Sequence, residues 1–99
     1  MTRIEFDWDP AKARSNRTKH GVSFEEAMGV FADPLALSRL DDDQGVGDER
    51  WITLGLAAAE RLLLVVHTHI EQSDDRIAVR IISARRATRR EARQYEDGR

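Results

Sequence analysis

The sequence predicts an α+β fold: a small antiparallel β-sheet meander with two N-terminal helices and one C-terminal helix, in the order β-α-α-β-β-β-β-α. Three observations carry this. Two helix starts with their own capping residues lie in the first third of the chain. From Leu35 to Ala84 the apolar period changes to two, with short polar links. A last capping box then opens a basic helix.

In order, Ile4, Phe6 and Trp8 alternate with Glu5, Asp7 and Asp9, the period of a short half-buried strand. Asp9-Pro10 reads as an N-cap with proline at the first helical position, and Gly21 as a left-handed C-cap. This helix has little apolar face and belongs on the surface. Ser23 opens the second helix with Glu26 three residues on. Phe24, Ala27, Met28 and Phe31 then form one apolar stripe, and Pro34 ends it. Strands are expected at Ala36–Leu40, Trp51–Leu56, Arg61–Ile70 and Arg76–Ala84, joined by the short polar or small links DDDQGVGDE, AAAE and EQSDD. Thr88 with Glu91 starts the last helix near Arg89, which runs to about Glu96.

With 99 residues the chain holds one domain and one modest core. It has no cysteine, which removes disulfides, Cys-based zinc sites and a thiol nucleophile. The apolar run Leu62–Val66 is far too short to span a bilayer, and Met1–Pro10 lacks the apolar stretch of a signal peptide, so the expected location is cytoplasmic, with no membrane partner. Asp41–Asp43 does not open a calcium loop, because position 12 would be Ile52 and not a bidentate Glu; a solvated turn is expected. No nucleotide-binding or metalloprotease motif occurs, and no cofactor or metal is expected.

The charge is polarised. The formal net charge is -2, yet Arg80–Arg99 holds seven Arg against Glu91, Glu96 and Asp97. Guanidinium groups grip phosphate bidentately and keep their charge, so this segment points to a phosphate-rich partner. On the last strand, alternation places Arg76, Ala78, Arg80, Ile82 and Ala84 on one face. Arg80 there is either a phosphate clamp or one half of a structural ion pair. Arg85 and Arg86 fall at the strand end, with Arg89, Arg90 and Arg93 on the helix; taken singly, each also suits a solvated basic face. His67 is either a core histidine with both nitrogens satisfied or a proton-transfer group. Lys19 and His20 close the first helix, where the dipole alone explains cations. Trp8 could stack a base, although its place in the strand alternation favours packing. His67-x-His69 lacks a third ligand at recognisable spacing. These parts suit charge-stabilised cleavage of an RNA phosphodiester, with His67, His20, Lys19 or Tyr95 moving protons, since arginine cannot.

Two stretches, WDPAKARSNRTKHGVSFEEAMGVFADPLAL and VVHTH…RIISARRATRREARQYE, closely resemble the BrnT family of type II toxin-antitoxin toxins. The resemblance implies a RelE-like fold and a ribonuclease that blocks translation. It also implies a BrnA-type antitoxin with a ribbon-helix-helix domain, through which alone operator DNA is bound. It carries over Arg80 and Arg85 in RIISAR, His67 in VVHT, and Lys12, Lys19 and His20 in the first helix. Arg80, Arg85, His67, Lys19 and His20 are thus the expected catalytic set, and Lys12, Arg50, Arg86, Arg89, Arg90 and Trp8 the expected RNA contacts. The family pattern has an arginine shortly after the His-Thr pair; here His69-Ile70-Glu71 follows and the next arginine is Arg76. The competing readings are a non-catalytic nucleic-acid-binding or regulatory module, and an arginine face that serves mainly to dock an acidic antitoxin segment.

Overall fold

The computed structural model describes residues 2–41 and 49–98. The acidic link after Asp41, with its expected solvated turn, lies largely outside the described residues. The elements are β1 (Arg3–Asp7), α1 (Pro10–His20), α2 (Phe24–Ala27) running into a 3-10 turn (Met28–Ala32), β2 (Leu37–Leu40), β3 (Trp51–Leu56), β4 (Leu62–His67), β5 (Ile70–Ser73), β6 (Arg76–Arg86) and α3 (Arg89–Asp97). They form one sheet of order β1-β6-β4-β3-β2, with β5 also paired to β6.

The α+β class and the helix starts follow the sequence reading. The Asp9 side chain accepts from Ala11 N at 2.8 Å, Ser23 from Glu26 N at 3.0 Å, and Thr88 and Glu91 form a complete capping box. Gly21 has φ 68°, which suits glycine at the close of α1. The second helix is shorter than its apolar stripe implies. It narrows to a 3-10 turn at Met28, where Val30 presses its Cβ and carbonyl on Gly55 of β3; a Cβ at Gly55 would meet them at 3.2 Å.

Three expectations about the strands are corrected. Arg61–Ile70 is not one strand: it breaks at Thr68-His69 into β4 and β5, which line successive halves of the same edge of β6. The meander is incomplete, because β1 joins the opposite edge of β6 in parallel, from Arg3↔Arg76 to Asp7↔Arg80. The alternation of β6 also slips. Val66 faces Ser83 while His67 faces Ile81, so Ile82 is an extra residue, a bulge. Ala84 therefore turns into the core with Val79 and Ile81, and does not share a face with Arg80.

The sheet has two coated faces. On the inner face, Val22, Phe24, Ala27 and Val30 pack on Leu63, Val65, Val79 and Ile81, all 2% exposed or less. On the outer face, Leu54, Leu64 and Tyr95 form a smaller cluster beneath α3. Beyond Arg80, where β1 ends, the edge of β6 is covered by a side chain. Asn16 of α1 is buried, donates to Ala84 O at 2.8 Å and Val22 O at 3.0 Å, and accepts from Ala84 N at 3.1 Å. One amide thus stands in for a missing strand and fixes α1 to β6.

Candidate nucleic-acid interface

The expected site residues fall into two groups at opposite ends of β4 and β6. At one end, the register sets Arg86 opposite Leu63 and Arg85 opposite Leu64, and Ala87 N bonds Leu62 O at 2.9 Å, so α3 starts beside β4. Arg61 precedes β4 and donates to Gly21 O at 3.2 Å, which brings in the end of α1 with Lys19 and His20. This end thus carries Arg61, Arg85 and Arg86, the start of α3 with Arg89 and Arg90, and the end of α1 with exposed Lys19 and His20.

Two of these arginines are clamped. Arg61 grips Glu26 through two nitrogens, with Nε at 2.7 Å. This bond, helped by the charges of Arg61 and Arg86, lowers the Glu26 pKa against the opposing effect of burial. Arg85 grips Glu91 bidentately at 2.9 and 2.8 Å. That bond, aided by the Thr88 backbone, pulls the Glu91 pKa down to about 2. Arg85 is therefore a stiffly held cation beside the α3 start, whereas Arg86, Arg89 and Arg90 are exposed.

His67 lies at the other end and on the inner face. It is 2% exposed. Its Nδ1 meets Thr68 O at 3.0 Å, its Nε2 meets Thr53 Oγ1 at 2.7 Å, and its ring stands edge-on to Phe31 with centroids 4.8 Å apart. Burial lowers its pKa. These are the features of the satisfied core histidine. Arg80 is near it in sequence register but faces outward, donating to Asp7 Oδ2 at 2.9 Å with about half of its side chain exposed. The ion-pair alternative is thus present, in an exposed setting. The expected catalytic set is not one cluster: the sheet separates His67 from Arg80, and the strand length separates both from Arg85, Lys19 and His20.

The expected contacts divide similarly. Lys12 is exposed on α1, and Arg50 is exposed just before β3. Trp8 is half-buried, packs edge-on against Phe24 at 5.8 Å and belongs to the core layer. Tyr95 is buried and donates to Asp33 Oδ2 at 2.7 Å, which withdraws it from proton transfer. Four functional neighbours escaped the sequence reading: Asn16, Asp33, Arg61 and Thr53. Asp33 accepts from Leu35 N, Leu56 N and Tyr95 OH, and only its place before Pro34 signals a turn. Among the described residues, no three His, Asp or Glu side chains gather as metal ligands, and no helix is long and apolar enough to cross a membrane.

A family model described as the ribonuclease toxin BrnT of a type II toxin-antitoxin system matches residues 8–91. The chain belongs to the BrnT family. The crystal structure of the Brucella abortus ribonuclease toxin BrnT shares its fold, with a TM-score of 0.60 at 18% identity, over 88% of this chain and all of that one. No curated protein matches the sequence. Membership in the BrnT family implies an RNA target and an antitoxin partner, and it agrees with a basic end built from β6 and α3.

Proposed function

We propose that this BrnT-family chain is a cytoplasmic, metal-independent endoribonuclease that inhibits translation and is neutralised by a BrnA-type ribbon-helix-helix antitoxin. The observation that carries this reading is that Arg61, Arg85, Arg86, the start of α3 with Arg89 and Arg90, and the end of α1 with Lys19 and His20 all lie at one end of the sheet. Fixed guanidinium charge suits a phosphate whose negative charge grows as the ribose 2'-oxygen attacks, and a rigid scaffold supplies it without reorganisation. Arg85, locked to Glu91, acts as a positioned field, while the exposed Arg86, Arg89 and Arg90 hold flanking phosphates. His20 carries the proton transfers beside Lys19, because an imidazole both takes and gives protons. His67 is assigned no direct contact with the reacting phosphate.

The test is cleavage of end-labelled RNA by the purified chain in EDTA. Cleavage leaving 2',3'-cyclic phosphate ends, reduced about 100-fold or more in His20→Ala, supports the proposal. Cleavage only on addition of a divalent cation refutes the metal-independent step. Salt-sensitive binding without cleavage favours the binding-module reading. Co-expression with a BrnA-type antitoxin is expected to relieve growth arrest.

A further inference from the structure

Phe31, Ser38, Trp51, Thr53, His67 and His69 line an open pocket of about 180 Å³ at the end of the sheet away from the Leu62-end arginines. Four of the six present rings. Trp51 and His69 have centroids 6.1 Å apart, and Phe31 and His67 meet edge-on. Among the described residues, no Asp, Glu, Lys or Arg side chain lines it. The space is below the range of about 300–1,000 Å³ that holds drug-sized ligands, so it suits one small flat ring system.

The polar wall has a fixed direction. Thr68 O can only accept, so His67 Nδ1 carries the proton of the neutral ring and Nε2 accepts. Thr53 Oγ1 therefore donates to Nε2 at 2.7 Å, and Ser38 Oγ donates in turn to Thr53 Oγ1 at 2.8 Å. Ser38 is exposed, and its single proton is used inward. What it offers a ligand at the pocket mouth is lone pairs, an acceptor.

We propose that this pocket binds one unpaired nucleobase of the RNA, stacked on Trp51 and accepted by Ser38 through an exocyclic amino group. Adenine, cytosine and guanine carry such a group, and uracil does not. The described lining of the pocket is aromatic and free of Asp, Glu, Lys and Arg where the other end is cationic, which divides base recognition from phosphate binding. The inference rests on the ribonuclease reading for its substrate class, yet binding can be read without cleavage.

The experiment is titration of the full ¹⁵N-labelled chain with AMP, CMP, GMP and UMP up to about 10 mM, a range that resolves millimolar binding. The proposal expects saturable shifts at the Trp51 indole N–H and the Ser38 and His69 amides, with UMP weaker by about fivefold, the value of one hydrogen bond. In Ser38→Ala the amino-bearing nucleotides should fall to the UMP affinity. In Trp51→Ala all four should weaken by about tenfold, as loss of one stacked base predicts. Ser38 is exposed, so its variant tests the idea even if Trp51→Ala fails to fold. Equal binding of all four by wild type, shifts confined to the arginine end, or no shift with any nucleotide would overturn the pocket. Binding here by a chain that cleaves no RNA leaves the pocket standing and removes the ribonuclease reading.

Discussion

The two ends of β4 and β6 are built from opposite materials. At the Leu62 end, charge is concentrated and open: Arg61 and Arg85 are held by Glu26 and Glu91, and Arg86, Arg89 and Arg90 face solvent. At the His67 end, His67 and Thr53 are buried and bonded to each other, and the rings of Phe31, Trp51 and His69 line the space beside them. A phosphate is recognised by charge that reaches water, and a base by shape and a directed hydrogen bond. Arg80 lies beside this end but points to the outer face and pairs with Asp7, so the sheet stands between its charge and the buried His67.

The difference can be broken in steps of decreasing size. The largest effect is expected from Asn16→Leu, which strips Ala84 of both backbone partners and unpins α1, with its Lys19 and His20, from β6. Removing the partner of three buried backbone groups, Ala84 N, Ala84 O and Val22 O, should cost about 3 kcal/mol or more in urea unfolding. A loss below about 0.5 kcal/mol would show that water replaces the amide.

Next comes Glu91→Ala, which removes the α3 capping partner and frees Arg85. About 2 kcal/mol of lost stability is expected, with screening by solvent taken into account. This contribution is linked to pH. The folded Glu91 pKa is depressed from its ordinary 4.5 to about 2, so the stabilisation is complete above 4.5 and disappears as pH falls towards 2. An acid-unfolding curve of Glu91→Gln should run flatter than wild type across that window. His67 acts at higher pH. Its folded pKa is also depressed, so the unfolded chain takes up a proton first, and stability should decline as pH drops below about 6.5. His67→Gln should remove that slope. The smallest effect belongs to Asp7→Asn beside Arg80, an exposed pair worth about 0.5 kcal/mol or less.

The legible parts of the sequence were local. Asp9-Pro10, Ser23 with Glu26, and Thr88 with Glu91 each name their own partner within three residues, and all three caps form. The arginine-rich segment was equally visible, because charge clusters by sequence alone. What remained hidden depends on distant chain. Asn16 meets Ala84 across 68 residues, and Arg61 meets Glu26 across 35. The bulge at Ile82 is a single extra residue with no glycine or proline to mark it, yet it reverses the face of everything after it. The split of the expected site has another cause, the length of β6 and the sheet between His67 and Arg80, which only the strand pairing reveals. The parallel pairing of β1 was also beyond reach, since alternation in Ile4 and Phe6 fits either direction.

The central claim is that the Leu62 end holds RNA phosphates. Its most direct test is the salt dependence of RNA affinity for wild type, the double variant Arg89→Ala with Arg90→Ala, and Arg80→Ala. With single-stranded RNA, the double variant should lower the slope of log affinity against log salt by about 1.4, close to 0.7 per lost contact, and Arg80→Ala should change it little. An unchanged slope in the double variant, with the loss appearing in Arg80→Ala, would put the phosphate track on the β1 edge and contradict the account.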